Sequence, residues 1–242
     1  MDLRRLVLVF ARTPRDEAAV KPLGGRAQAE RLHRALLDRA LGSAVAAGFH
    51  TRLVTQGEAL DVPDGVDVVR QRGGSFGERL EHAVGDAFAD GWRQVVVIGA
   101  DAPRLDGERI RQAFARLSAT GEAARAVIGP ARDGGYYLLG LTRHDASLFR
   151  DIPFCTRAAF AATVEALAAA RFAVCTLPPL DDVDSLDDVR RLAGACDRLA
   201  QLARDLLAFA IAPVFASPAS LPPRAGTFVD ARGPPPRSAA LF

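Results

Sequence analysis

One acidic side chain, Asp101, comes directly after a run of apolar and mostly β-branched residues in the segment Gln94–Pro103. The run predicts a strand that is buried on both faces, and Gly99 lets the backbone turn just beyond it. Ligands of open α/β sheets bind beyond the carboxyl ends of the strands, so Asp101 stands where a carboxylate can hold a divalent cation that bridges phosphates. The alternative is that Asp101 only caps a turn or the following helix.

Basic residues follow a second apolar run, Leu6–Phe10, which predicts another buried strand. The polar segment 12–25 after it is predicted to be a loop, and it contains Arg12 and Lys21, the only lysine of the chain. If the two strands are neighbours at the switch point of a doubly wound sheet, both basic residues and Asp101 face one cleft. Cations beside such a carboxylate suit the phosphates of a nucleotide, whereas the alternative is a solvated basic loop.

Three further segments combine glycines or carboxylates with the end of a predicted strand or the start of a helix: Gln71–Glu78, Arg132–Tyr137 and Asp181–Ser185. In the second of them, Gly134 and Gly135 allow a ligand to approach the backbone, and Asp133 could bind a sugar hydroxyl or act as a base; a tight hairpin has the same composition. Gln71 begins a segment that is either an anion or base site at a helix N-terminus or a capped helix start. Asp184 is either a second metal ligand or the N-cap of the next helix.

The composition excludes several other classes of protein. The 31 basic and 29 acidic residues of the 242-residue chain nearly balance, which argues against a nucleic-acid partner. Three cysteines without metal-ligand spacing indicate a reduced, cytoplasmic protein, and the apolar stretch 206–216 is too short to span a membrane. No Walker phosphate loop and no dinucleotide-binding glycine pattern follows the first strand.

The predicted strands and helices alternate along the chain, which indicates an α/β fold with a doubly wound, mostly parallel sheet. Helices are predicted at 26–47, 76–89, 106–118, 157–170 and 185–210, with strands between them. We expect one domain over residues 1–212. The segment 213–242 is rich in proline and glycine and is predicted to be a flexible tail.

An ordered set of motifs resembles a known bacterial family from about residue 6 to residue 192. The motifs are Phe10–Pro14, Gln71–Leu80, Ile98–Pro103, Gly129–Gly140, Ile152–Thr156 and Leu177–Asp184. They are similar to the glycosyltransferase-A-like group known as radical-SAM/selenodomain-associated glycosyltransferases. That group is related to the guanylyltransferases of molybdenum cofactor and phospholactate. The resemblance implies a nucleotide-diphospho-sugar transferase fold of the Rossmann-like type.

The resemblance also implies a role for each candidate residue. Asp101 and Asp184 would hold Mg²⁺ or Mn²⁺, and Asp133 would act in catalysis. The nucleotide side would be formed by Arg12, Lys21, Gln71, Gly99 and Ala100. The acceptor side would be formed by Gly134, Gly135, Tyr136, Phe154 and Thr156.

The function that these expectations favour is a metal-dependent glycosyltransferase with a nucleotide-sugar donor and a small-molecule acceptor. One alternative is a nucleotidyltransferase that uses a nucleoside triphosphate and a phosphorylated small molecule. A third possibility is a degenerate member that binds a nucleotide or a partner without turnover. It is motivated by Lys21-Pro22-Leu23, where the family pattern has Thr and Arg between Lys and Leu.

Overall fold

The computed structural model describes residues 4–23, 25–57, 60–119, 123–193 and 204. Within them, seven strands form one sheet. The strands are β1 (Arg5–Ala11), β2 (His50–Thr55), β3 (Val66–Arg70), β4 (Gln94–Ile98), β5 (Arg125–Pro130), β6 (Tyr136–Leu141) and β7 (Ala173–Thr176). The buried apolar runs predicted from the sequence are β1 and β4, and every residue of Gln94–Ile98 is buried.

The strands lie in the order β3-β2-β1-β4-β6-β5-β7, so that β1 and β4 are parallel neighbours at the switch point. Strand β6 pairs antiparallel with β4 and with β5, and it is the one antiparallel member of the seven. Residues 131–135 therefore form a hairpin, which was the structural alternative for the segment Arg132–Tyr137. The hairpin brings this segment to the same edge as the carboxyl end of β4.

Six helices cover the sheet within the described residues. They are α1 (Pro14–Val20), α2 (Arg26–Ala46), α3 (Phe76–Ala89), α4 (Gly107–Leu117), α5 (Ala159–Ala169) and α6 (Leu186–Ala193). Helices α2 and α4 bury their apolar faces against one side of the sheet, and α3 and α5 contribute to the core on the other side. Burial of these faces is the main term that stabilises the fold.

The segment 12–25 contains a helix, so the prediction of a loop there was wrong. Thr13 caps α1 by accepting a hydrogen bond from the amide of Asp16, and Pro14 occupies its first turn. Ala18 is fully buried in a small cluster that includes residues of α2 and α6. This tertiary contact holds a helix whose seven residues carry little apolar periodicity.

Two predictions fall partly or wholly outside the described residues. The helix expected at 185–210 is described only as Leu186–Ala193, and the proposed tail 213–242 lies outside the described residues.

The outermost strand β3 is largely exposed, including both Val68 and Val69.

Candidate functional site

Backbone hydrogen bonds bring three loops together at the edge formed by the carboxyl ends of β1, β4 and β5. The amide of Val183 donates to the carbonyl oxygen of Asp101 over 3.0 Å. On the far side, the amide of Leu180 donates to Pro130 and the amide of Arg132 donates to Leu180, both over 3.1 Å. The segment after β7 therefore runs across the hairpin to the end of β4, and its carboxylates lie beside Asp101.

Lys21 and Asp101 meet at this edge, as the sequence predicts. The Lys21 ammonium lies 3.6 Å from Oδ2 of Asp101 and 3.0 Å from Oε1 of Glu17, and it also pairs with Asp184. Burial lowers the pKa of Lys21, but the charges of Asp101, Glu17 and Asp184 outweigh this and raise it above its usual value. Lys21 is therefore a permanent cation among three carboxylates.

The position of Lys21 depends on the helix that the sequence did not predict. Lys21 is the C-cap of α1, and its amide donates to the carbonyl oxygen of Glu17 over 2.7 Å. His33, a buried residue of α2, lies with Nε2 3.1 Å from the carbonyl oxygen of Lys21. The backbone of Lys21 therefore forms hydrogen bonds with α1 and α2, and its side chain extends from there to the carboxylates.

Arg12 lies at the site but does not pair with Asp101. Its Nη1 atom lies 3.0 Å from Oε2 of Glu17, which connects Arg12 to Lys21 through one shared carboxylate. Desolvation raises the pKa of Glu17, but Lys21 and Arg12 outweigh it and the pKa is lowered. Glu17 is therefore an anionic bridge between the two cations of the predicted nucleotide side.

Asp133, Asp182 and Asp184 form a group of carboxylates beside Asp101. One oxygen from each lies within 4.8 Å of those of the other two. Desolvation, with the charges of Asp133, Asp184 and Asp101, raises the pKa of Asp182 to about 7. Desolvation also raises the pKa of Asp101, and the charges of Asp184 and Glu17 raise it further. The charge of Lys21 lowers this pKa but does not outweigh the other effects. The side chain of Asp101 is still 43% exposed and open to a ligand.

The residues at this edge fit a hard divalent cation. Asp133, Asp182 and Asp184 bring carboxylate oxygens within 4.8 Å of one another, and oxygen ligands are the ones that Mg²⁺ and Mn²⁺ prefer. Desolvation is the first cause of the raised pKa of Asp182, and an excess of negative charge from Asp133, Asp184 and Asp101 adds to it. A divalent cation would remove this excess, and its positive charge would attract the phosphates of a nucleotide.

The predicted acceptor residues pack around the hairpin. Gly134 has a φ of +101°, and a Cβ atom there would lie 2.3 Å from the carbonyl oxygen of Arg157, so glycine is required for the close approach of the two segments. Oδ1 of Asp133 accepts a hydrogen bond from the amide of Gly135 over 2.7 Å. This bond fixes an exposed carboxylate at the tip of the hairpin.

The other acceptor candidates have mainly structural contacts. The ring of Phe154 packs on that of Phe76 with centroids 5.1 Å apart. The hydroxyl of Thr156 donates to the carbonyl oxygen of Pro153 over 2.7 Å. Burial raises the pKa of the Tyr136 phenol, whose hydroxyl lies inside the protein. These side chains shape the wall next to Asp133 rather than offer it polar groups.

Gln71 holds two strand ends together. Its side-chain amide donates to the carbonyl oxygens of Ala11 and Val54, over 3.1 and 3.0 Å. Both amide hydrogens are used in this way, so a contact with a nucleotide falls to the carbonyl Oε1. On the predicted nucleotide side, the amide of Gly99 donates to the carbonyl oxygen of Tyr137 over 3.3 Å. The next residue, Ala100, is half-buried and packs against the core.

Helix caps exclude one structural role each for Asp101 and Asp184. Asp106 caps α4 by accepting from the amide of Arg109, so Asp101 is not the cap of that helix. Ser185 occupies the N-cap position of α6 and exchanges hydrogen bonds with Asp188, which leaves the Asp184 carboxylate to pair with Lys21. The Gly-rich segment before α3 is in fact a capped helix start, with a capping box between Ser75 and Glu78.

Two residues of the site were not among the predicted ones. Glu17 lies four residues before Lys21, a spacing that pairs opposite charges on a helix, so recognising α1 would have identified it. Asp182 belongs to the predicted acidic segment, but its neighbour Asp184 was chosen as the ligand. Only the structure shows that both carboxylates face Asp133.

Comparison with known proteins identifies the fold. The chain matches none of the curated proteins in sequence. It is similar to a crystal structure of a candidate nucleotide-diphospho-sugar transferase from Desulfovibrio desulfuricans G20, with 26% identity and a TM-score of 0.75 over 86% of this chain and 96% of that one. A cytidylyltransferase from Leptospira borgpetersenii shares 12% identity and a TM-score of 0.51, over 86% and 96% of the two chains.

The molecule therefore has an α/β fold shared with nucleotide-sugar transferases and nucleotidyltransferases. A homologue of Rv0371c from Mycobacterium sp. strain JC1 is also similar, with 20% identity and a TM-score of 0.50, over 84% of this chain and 99% of that one. None of the helices among the described residues is long and apolar enough to cross a membrane. Residues 32–156 match the family model described as "Uncharacterized protein conserved in bacteria (DUF2064)", and the chain belongs to this family.

Proposed function

We propose that the protein is a metal-dependent transferase that moves a sugar from a nucleotide-activated donor to a small-molecule acceptor. The observation that carries the proposal is the convergence of Lys21 and Asp101 with Asp133, Asp182 and Asp184 at one edge of the sheet. The similarity to the Desulfovibrio protein over most of both chains supports it. The order of the sequence motifs supports a place among the radical-SAM-associated glycosyltransferases.

Each side of the edge has a different task in this proposal. Asp101, Asp182 and Asp184 would hold Mg²⁺ or Mn²⁺, which when bound offsets the charge of the diphosphate leaving group. Lys21 and Arg12 bind the phosphates and stabilise the charge that develops on them.

The hairpin would face the acceptor. Asp133 is exposed and held by the amide of Gly135, so it can orient an acceptor hydroxyl or take its proton. Gly134 lets the backbone of this wall pack closely, with Tyr136, Phe154 and Thr156 around it. On the nucleotide side, Gly99 and Ala100 leave room beside the end of β4, and Oε1 of Gln71 is an acceptor for the base or ribose.

The alternative within the same fold is nucleotidyl transfer, which breaks a different bond. Glycosyl transfer cleaves the bond between the sugar carbon and the diphosphate and releases a nucleoside diphosphate. Nucleotidyl transfer from a nucleoside triphosphate cleaves the bond between the α-phosphorus and the oxygen that bridges to the β-phosphate, and it releases pyrophosphate. The fold shared with a cytidylyltransferase is compatible with it, so the released product separates the two reactions.

The test is a thermal-shift screen of sugar nucleotides and nucleoside triphosphates, each with and without Mn²⁺. We expect metal-dependent stabilisation that Asp101→Asn abolishes. The matched control is Asp67→Asn, which removes an exposed carboxylate of β3 that pairs with His50. Donors that stabilise the protein are then incubated with acceptor extracts, and release of nucleoside diphosphate or pyrophosphate is measured. A metal and nucleotide response that survives Asp101→Asn contradicts the site, and no response at all favours a degenerate protein.

A further inference from the structure

The Lys21 ammonium contacts two of the three carboxylates to which the proposed function assigns a metal ion. It contacts carboxylate oxygens of Asp101 and Asp184, the two residues that the sequence predicts as metal ligands. Only 23% of the side chain is exposed. A divalent cation that reaches these oxygens therefore meets a positive charge already in place.

The charges at this position show why the two cations compete. Lys21 carries a positive charge and lies among the carboxylates of Asp101, Glu17 and Asp184. Two positive charges that share the same carboxylates repel each other strongly in a partly desolvated site. A metal ion that binds the same oxygens of Asp101 and Asp184 therefore displaces the ammonium from them.

Hydrogen bonds restrain the backbone of Lys21 on both sides of its side chain. The amide of Lys21 is bonded to Glu17, and its carbonyl oxygen lies against His33, so the chain is fixed on both sides of Cα. Glu17 lies 3.0 Å from the ammonium and is itself held by Arg12. Rotation about the four side-chain bonds of Lys21 therefore takes Nζ away from the aspartates, and Glu17 stays close enough to remain a partner.

We propose that Lys21 holds the place of the divalent cation in the ligand-free protein and gives it up only when phosphates arrive with the metal. The phosphates then replace Asp101 and Asp184 as partners of the ammonium. Metal alone binds weakly because it is repelled by the ammonium. Metal and nucleotide bind cooperatively, because the phosphates draw the ammonium away from the aspartates and the metal then neutralises these carboxylates. This inference rests on the proposed function, because it takes the ligand to be a metal–polyphosphate complex.

The first experiment titrates the full-length protein with Mn²⁺ in the absence of nucleotide and follows free Mn²⁺ by electron paramagnetic resonance. We expect Lys21→Met to bind Mn²⁺ at least about tenfold more tightly than the wild type, because the competing charge is gone. Lys21→Arg keeps the charge and is expected to bind as weakly as the wild type. Glu17→Gln leaves the ammonium on Asp101 and Asp184 and is expected not to tighten binding. Lys21→Gln serves in place of Lys21→Met if that variant does not fold, as checked by circular dichroism.

The second experiment uses the fact that Lys21 is the only lysine. Protein labelled with ¹⁵N in the lysine side chain gives one ammonium signal, which needs no assignment. We expect little change with Mg²⁺ alone and a clear shift with Mg²⁺ together with uridine or guanosine diphosphate. A signal that moves fully with Mg²⁺ alone overturns the inference.

The outcomes separate this inference from the proposed function. If Lys21→Met and the wild type bind Mn²⁺ equally well, while the wild type still shows stabilisation that depends on Asp101, only the inference fails. If no variant binds Mn²⁺ and no nucleotide stabilises the wild type, both fail. Tight binding of Mn²⁺ by the wild type in the absence of nucleotide also overturns the inference.

Discussion

The amide of Val183 donates a 3.0 Å hydrogen bond to the carbonyl oxygen of Asp101, and this bond joins the loop after β4 to the acidic segment after β7. The two neighbours of Val183 in the chain, Asp182 and Asp184, are therefore positioned by backbone contacts and not by their own carboxylates. Removing one charge should leave the loop in place. Substitutions of single carboxylates consequently report on charge.

Replacement of Asp182 by Asn should change stability in a way that depends on pH. The folded-state pKa of Asp182 is about 7, above the ordinary value of 3.8. At a pH between these two values the folded protein therefore keeps a proton on Asp182 that the unfolded chain has released. Stability therefore falls as the pH rises from about 4 to about 7. We expect Asp182→Asn to raise the Tm by about 2–4 °C at pH 8, corresponding to about 1 kcal/mol after allowing for solvent screening, and to give no gain at pH 4.

The control for this measurement is Asp181→Asn, which removes the adjacent carboxylate. Asp181 pairs with Arg132 at 3.1 Å and lies outside the group of three. Its replacement should give no gain at pH 8. A Tm difference for Asp182→Asn that is the same at pH 4 and pH 8 contradicts the prediction.

Replacement of Glu17 by Gln should show the opposite dependence on pH. The pKa of Glu17 is lowered from 4.5 by Lys21 and Arg12, so its contribution to stability is present above about pH 4.5 and is lost as the pH falls through the folded-state value. We expect a loss on the order of 1 kcal/mol at pH 7 that becomes smaller as the pH falls below 4.5, measured by urea unfolding. Glu108→Gln breaks an exposed pair with Arg111 and should cost less than about 0.5 kcal/mol. Equal losses for the two variants would show that Glu17 is an ordinary surface charge.

Replacement of Gly134 by Ala should destabilise the protein more than replacement of another glycine with positive φ. Gly65 has a φ of +79° with no atom within 4 Å of a built Cβ, so Gly65→Ala adds only backbone strain, about 1 kcal/mol. At Gly134 the same strain is joined by a collision with the backbone of Arg157, for a total of about 2–4 kcal/mol. Chemical unfolding of the two variants measures the difference. Similar losses would mean that the two segments separate easily.

Replacement of Gln71 by Glu should weaken the junction of β1 and β2. The substitution removes both hydrogens that the side chain donates to Ala11 and Val54 and turns a carboxylate towards two carbonyl oxygens. We expect a loss of about 2–3 kcal/mol without any ligand, compared with about 1 kcal/mol for Gln71→Met, which adds no charge. Unchanged stability of Gln71→Glu would indicate that the side chain turns away from these carbonyls and serves the ligand only.

Much of the fold could be predicted because its central strands are continuous apolar runs. Leu6–Phe10 and Gln94–Ile98 lie side by side and parallel at the centre of the sheet, as their composition indicates. Helix α3 begins and ends where predicted, and the structure adds a capping box between Ser75 and Glu78 at its start. The direction of β6 could not be predicted in the same way, because an apolar run has no polarity. Only the hairpin, one of two interpretations of the Asp-Gly-Gly turn, determines it.

The site could be predicted in part. The proximity of Lys21 and Asp101 followed from the order of two buried strands and was confirmed. The partner of Arg12 could not be predicted, because Glu17 reaches it from a helix that depends on tertiary contacts of Ala18. The roles of these residues in binding and catalysis stay predictions.

The exposed strand β3 bears on how the protein behaves in concentrated solution. With five residues it offers another chain few free amide and carbonyl groups, and Asp67 interrupts its valines with a charge. Exchanging Asp67 for Val would create four consecutive valines at the rim of the sheet, the kind of segment that seeds aggregates. We therefore expect Asp67→Val to aggregate more readily than the wild type, measured by light scattering of concentrated protein.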